Sequence, residues 1–219
     1  MTVSHTRTQV IVKNHFIESD FEYQLCKPYQ DSRTLSSVWQ LVAANLAANG
    51  DVLPQDAFAA AQCSDFDFSI HTSVISIRHT SGRLAGTFSL TLDSDSGMPV
   101  TQHFDRELKF IRRKYRVING WRFSMSPLFQ SAVLRQRSFA LFKQLVRLND
   151  ADAFVIYYNK RLDAYYQRLF SGRVMSSKTI SFDGHNALPV NLMLCAASDN
   201  PPDPRYMHDG AKYEKDLVF

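Results

Sequence analysis

The stretch NGWRFSMSPLFQ, Asn119 to Gln130, decides how this chain is read. Asn-Gly is a turn-forming pair, so the stretch is expected to open at a tight turn. After it Trp121, Phe123 and Met125 alternate with Arg122, Ser124 and Ser126, the period-2 pattern of a half-buried strand that runs out into a loop. One face of that strand is apolar, and the other carries an arginine that needs a partner. Helix-like segments lie on both sides of it, so the strand belongs to an α/β arrangement.

Upstream, TQHFDRELKFIRRKYRV (101–117) spaces Phe104, Leu108, Ile111 and Tyr115 by 4, 3 and 4, an amphipathic helix. Arg106, Lys109, Arg113 and Arg116 form a basic stripe opposite, either a solvated face or a docking surface for something acidic. Further back, FDFSIHTSVISIRH (66–79) and GRLAGTFSLTLD (82–93) read as two strands joined around Thr80-Ser81-Gly82. In the second strand Leu84, Gly86, Phe88, Leu90 and Leu92 fall on one face, and Ala85, Thr87, Ser89 and Thr91 on the other. SSVWQLVAANLAANGD (36–51) reads as a helix of about three turns that starts at Ser36 or Ser37 and stops at Asn49-Gly50.

Downstream, SAVLRQRSFALFKQLVRL (131–148) carries Leu134, Leu141, Leu145 and Leu148 as a helical stripe. DAFVIYY (152–158) is the continuous apolar run of a strand covered on both faces. KRLDAYYQRLFSG (160–172) is a helix with Gly172 as its expected cap. RVMSSKTISFDG (173–184) and ALPVNLMLCAA (187–197) are two strands separated by an Asp-Gly turn. The expected architecture is a three-layer α/β/α sandwich around a mixed, mostly antiparallel sheet. Residues 1–198 form a single domain and 199–219 a polar, Pro-containing tail.

At 219 residues and 25.0 kDa the chain has room for one sizeable core. No apolar run approaches the roughly 20 residues of a membrane-spanning helix, and the N-terminus lacks a signal-type apolar segment, so the cytoplasm is the expected location. The three cysteines show neither paired nor metal-ligand spacing and read as structural thiols, with no metal expected. A net charge of +4 permits an acidic partner. Nucleic acid is not expected, because the basic stripe has only Tyr115 near it, on the buried face.

Several of these words, in this order, resemble the N-acyl amino acid synthases and the acyl-homoserine-lactone autoinducer synthases, which share the Gcn5-related N-acetyltransferase (GNAT) fold. They are Phe66-Asp67, GRLAGTFSL (82–90), SGMPV (96–100) with the following Phe104-Asp105, RFSMSPLFQ (122–130), YYNKRLDAYYQRLFSG (157–172) and DGHNALPVNLML (183–194). The resemblance implies an acyltransferase that moves a long-chain fatty acyl group to the amine of an amino acid or similar acceptor. Its alternative is a degenerate relative that binds an acyl chain or a protein without turnover.

The donor implied is phosphopantetheine-linked and not tightly bound. SPLFQSAVLRQ (126–136) has no glycines to bring backbone amides up to a CoA pyrophosphate, which favours acyl carrier protein over acyl-CoA. Carrier proteins are acidic, so Arg106, Lys109, Arg113 and Arg116 become the expected dock. Asp67 and Arg122 match the family's site, as an amine-orienting carboxylate and a carboxylate-holding arginine, though each also reads as half of an ion pair within the sheet. Asn119 falls where the resemblance puts a glutamate base, and Ser89 where it puts a second arginine. Asn119 cannot accept a proton at neutral pH, and Ser89 cannot grip a carboxylate bidentately. His71 and Tyr157 or Tyr158 are substitute acid or base candidates. Ser89, Trp121, Phe123, Ser124 and Tyr158 are expected to contact substrate. The 16 phenylalanines either line an acyl tunnel or are plain core.

Overall fold

The computed structural model describes residues 20–30, 32–129, 131–181 and 187–197. The expected Asp183-Gly184 turn, the polar tail and Gln130 lie outside the described residues. Among the described residues seven strands form one sheet: β1 (Phe21–Cys26), β2 (Thr72–His79), β3 (Leu84–Leu92), β4 (Val117–Met125), β5 (Ala153–Asn159), β6 (Arg173–Ile180) and β7 (Leu188–Ala196), in the order β1-β2-β3-β4-β5-β7-β6. The sheet is mixed, with β4 and β5 its parallel pair and the other neighbours antiparallel. The parallel pairing covers only Val117–Asn119 against Ala153–Val155. Beyond that point the two strands part, and β4 continues beside β3 while β5 continues beside β7.

Helices cover both faces. On one lie α1 (Arg33–Ala48), the short α2 (Ala57–Ala61) and α3 (Ser64–Asp67), and α4 (Thr101–Arg112). On the other lie α5 (Ala132–Leu148) and α6 (Asp163–Phe170). The α5 face holds the largest core, in which the rings of Phe88, Phe123, Phe139, Phe142, Phe154 and Phe170 pack on one another. β5 is covered on both faces as its apolar run predicts: Phe154 and Ile156 join the α5 core and Val155 the α4 core.

Four local readings differ from the sequence expectation. Asn119-Gly120 is not a turn but lies inside β4, because Gly120 lets the Phe142 ring reach within 2.6 Å of where a Cβ would stand. α1 begins at Arg33, earlier than Ser36, since Leu35 adds a fully buried anchor one turn before Val38. α6 is closed by Ser171, at φ 50°, and not by Gly172. Gly172 is needed for space: a Cβ there would sit 2.4 Å from Cys195 Sγ. A bulge in the β2–β3 pairing at Ile77 and Arg78 swaps Leu84 and Ala85 between faces, so the expected alternation on β3 holds from Gly86 onward.

Candidate functional site

The strict alternation expected over Trp121–Ser126 is broken at Arg122. Thr87 of β3 faces Ser124 while Ser89 faces Trp121, so β4 carries one residue more than β3 across this interval. Arg122 takes up the excess with φ 53°, a left-handed conformation that is costly for a side chain with a Cβ and recurs at functional sites. The bulge turns Arg122 onto the α1 face, where its Cζ lies 4.1 Å from the centre of the Trp121 ring. Phe123, the next residue, goes to the opposite face and stacks on Phe139.

There Arg122 meets Asp67 in a bidentate ion pair, Nη1 to Oδ1 and Nη2 to Oδ2 at 2.8 Å, with the two side chains 5% and 0% exposed. Asp67 also accepts from Trp39 Nε1 at 3.1 Å and from the Cys63 N–H at 2.9 Å. Three of these donors converge on Oδ2 and one on Oδ1. Asp67 therefore holds Arg122 in place. Trp39 was not singled out in the sequence, where its helical position reads as packing.

Next to the pair, three rows run across β2, β3 and β4 on the α1 face: Ser76–Thr87–Ser124, Val74–Ser89–Trp121 and Thr72–Thr91–Asn119. All nine residues are buried, and seven of them are Ser, Thr or Asn. Thr72 and Thr91 bond each other at 2.9 Å, Trp121 Nε1 donates to Thr91 at 3.0 Å, and Thr87 donates to the Ile75 carbonyl. Asn119 sits where β4 and β5 part. Its Oδ1 accepts from the Val100 N–H, and its Nδ2 donates to the carbonyls of Gly120 and Val155. Its amide is a strut that satisfies backbone groups at the fork, with no atom left over for catalysis.

Thus Asp67, Arg122, Trp121, Ser89, Ser124 and Asn119 come together, and three expected residues do not join them. Phe123 and Tyr158 belong to the α5 face, where Tyr158 donates to Asp163 at 2.7 Å and burial pushes its phenol up. His71 precedes β2 at the level of Leu92 and Ile118, four strand positions below Arg122, or about 13 Å along the sheet. Tyr157, which points to the α4 face beyond the fork, lies within electrostatic reach of Arg122 and Cys63. Burial first, and then Cys63, push its phenol up to about 12, with Arg122 opposing. The Cys63 thiol is likewise pushed up to about 11, chiefly by burial. Both groups keep their protons at neutral pH.

The basic stripe is less regular than its spacing suggests. Arg106 and Lys109 are exposed on α4, with Lys109 paired to Asp105 at 2.7 Å, but Arg113 is the cap and Arg116 lies beyond the helix. α4 borders the site through Val100, whose N–H reaches Asn119. Among the described residues no group of three His, Cys, Asp or Glu could hold a metal, and no helix is long and apolar enough to cross a membrane.

A sequence model described as "FeeM: N-acyl amino acid synthase FeeM" matches residues 37–195. The solved structure of FeeM, an N-acyl amino acid synthase from uncultured soil microbes, is similar at TM-score 0.63 and 13% identity, over 82% of this chain and 92% of that one. The AHL synthase LasI is similar at TM-score 0.54 and 13% identity, over 79% and 89%. An acyl-CoA N-acyltransferase from Pseudomonas aeruginosa is similar at TM-score 0.54 and 15% identity, over 80% and 99%. No curated protein sequence matches. The likenesses to solved structures show the GNAT-like fold expected above.

Proposed function

The chain belongs to the N-acyl amino acid synthase FeeM family, and on that premise we propose that it transfers a long-chain fatty acyl group from acyl carrier protein to the amine of an amino acid or similar acceptor, working in the cytoplasm. The observation that carries this reading is the buried Asp67–Arg122 pair, set at a strained bulge beside the hydroxyl-lined rows and the β4–β5 fork. Asp67 occupies two of the five guanidinium N–H donors, and the remaining three are available to an acceptor carboxylate. Asp67 is then a positioning residue. In the reaction the amine nitrogen attacks the thioester carbonyl carbon, the C–N bond forms and the C–S bond breaks. The attacking nitrogen loses its proton to solvent, and the departing thiolate is protonated from solvent, so one proton leaves and one returns.

With Asp67 engaged by Arg122 and an amide at position 119, the amine loses its ammonium proton in bulk water before it binds. The rate then rises with pH up to the acceptor's own amine pKa, without a plateau near pH 6 or 7. The exposed Arg106, Lys109, Arg113 and Arg116 are the surface we assign to the acidic carrier protein. Charge reversal at Arg106 and Arg113 is expected to weaken its association, and unchanged association removes that assignment.

The occupied amide of Asn119 also favours a second reading, a relative that retains acyl substrate without turnover. The two separate when the protein is incubated with long-chain acyl carrier protein and an amino-acid mixture and the products are analysed by mass spectrometry. New acyl-amide supports transfer, and acyl retention without product supports the second reading.

A further inference from the structure

The three rows on the α1 face pose an energetic problem that the proposed chemistry does not resolve. A sheet face packed under a helix is ordinarily apolar, as the opposite face of these same strands is. Here Val38 and Val42 of α1 are buried on the side of Val74, yet the neighbouring side chains are hydroxyls. Thr72, Thr87 and Thr91 each find a partner within the sheet. Ser76 and Ser89 do not: both are 0% exposed, and among the described residues neither hydroxyl has a hydrogen-bond partner. A buried hydroxyl without a partner costs about 1–3 kcal/mol, and two in adjacent rows of one patch are not explained by packing. Ser89 lies directly across from Trp121, whose ring carries the Arg122 guanidinium.

We propose that Ser76 and Ser89 are the recognition site for the acceptor's side chain, and that this side chain is neutral and both donates and accepts hydrogen bonds, as a hydroxyl or carboxamide does. The inference rests on the acyltransfer reading, in which Arg122 holds the acceptor's carboxylate. From Arg122 the acceptor's remaining groups extend over Ser89 and then Ser76, one row further on. Each serine hydroxyl has one donor and two acceptor positions, so the pair matches a group of the same dual character and leaves an aliphatic one facing unmet hydroxyls.

Isosteric acceptors test this, because threonine and valine share a shape and differ by a hydroxyl. Thermal unfolding of the full chain is measured with L-threonine, L-valine, L-asparagine or L-leucine, with and without long-chain acyl carrier protein, alongside kcat/KM for each amino acid. Threonine and asparagine are expected to raise Tm where valine and leucine do not, and threonine to exceed valine in kcat/KM by about tenfold or more. Ser89→Ala and Ser76→Ala are expected to stay folded and to bring that ratio down towards one, mainly through KM. Equal Tm shifts for threonine and valine, no shift with any of the four, or a ratio unchanged in both variants overturns the proposal. A protein that forms no acyl-amide with any amine fails as a transferase, and the Tm comparison still decides the recognition site.

Discussion

The two faces of β3 carry opposite chemistries one residue apart. Gly86, Phe88 and Leu90 look towards α5 into a core of stacked rings, while Thr87, Ser89 and Thr91 look towards α1 into hydroxyls, a buried ion pair and two unmet hydrogen-bonding groups. Side chains on both faces are buried. The difference teaches that burial alone does not mark a core: the α5 face is arranged for stability, whereas the α1 face carries buried hydroxyls with no partner among the described residues, which the proposed acceptor would satisfy.

The comparison is broken most forcefully at the ion pair. Arg122→Ala leaves the Asp67 carboxylate buried and unpaired, and a loss of about 3–5 kcal/mol is expected in urea unfolding. Replacing both partners together, Asp67→Leu with Arg122→Met, is expected to recover part of that loss, because no charge is then stranded, although Trp39 Nε1 and the Cys63 N–H lose their acceptor. If the single and double variants are equally unstable, the pair is not the electrostatic unit described here.

A finer cut uses neighbouring residues on opposite faces. Phe88→Ala is expected to cost about 3–5 kcal/mol of unfolding free energy, since it empties a packed aromatic core. Ser89→Ala is expected to lie within about 1 kcal/mol of the parent or above it, because it removes a hydroxyl without a partner. Comparable losses in the two variants would erase the contrast between the faces.

Asn119 tests whether the fork is structural. Asn119→Asp sets a carboxylate oxygen against the carbonyls of Gly120 and Val155, and a destabilisation of about 2 kcal/mol with no gain in turnover is expected. A faster enzyme with a new acidic limb in its pH profile would show that position 119 stands where a base belongs.

The smallest effect concerns Cys63, beside the ion pair. Its thiol ionises near pH 9 when unfolded and near pH 11 when folded, because burial raises it. Between those values unfolding releases a proton, so stability falls as pH rises, by at most about 1.4 kcal/mol per pH unit. Below pH 9 the thiol contributes no slope. The drop is expected to be smaller in Cys63→Ser when both proteins are melted at pH 8, 9 and 10, and identical slopes would place the thiol in water.

Much of this fold is legible in the sequence because its signals are local. The hairpin at Thr80–Gly82, the apolar run of β5 and the stripes of α4 and α5 each follow from spacing within a few residues. What spacing does not carry is the cross-strand environment. The bulge at Arg122 depends on β3 beside it, so the period-2 reading gives the strand but puts Arg122 and Trp121 on opposite faces. Asn-Gly at 119–120 has the composition of a turn, yet Phe142 from another element dictates a glycine within a strand. Ser171 takes the conformation expected of Gly172 because Cys195 and Met193 need the room beside the glycine. Of the candidate site, Asp67 and Arg122 were each readable as half of an ion pair, but not as each other's partner. Trp39 and Cys63, which complete the shell of Asp67, were not, since a helical tryptophan and a lone cysteine look like packing. The alternation of Thr87, Ser89 and Thr91 was visible, but not that this polar face is as buried as the apolar one.

The most direct measurement is acyl-amide formation from long-chain acyl carrier protein and amino acids, followed by mass spectrometry, in the parent protein and in the folded Asp67→Leu, Arg122→Met double variant. Placing the reaction on the α1 face predicts product from the parent and a loss of at least about a hundredfold in the folded double variant. Product formed by the double variant at the parent rate would put the chemistry elsewhere in the molecule.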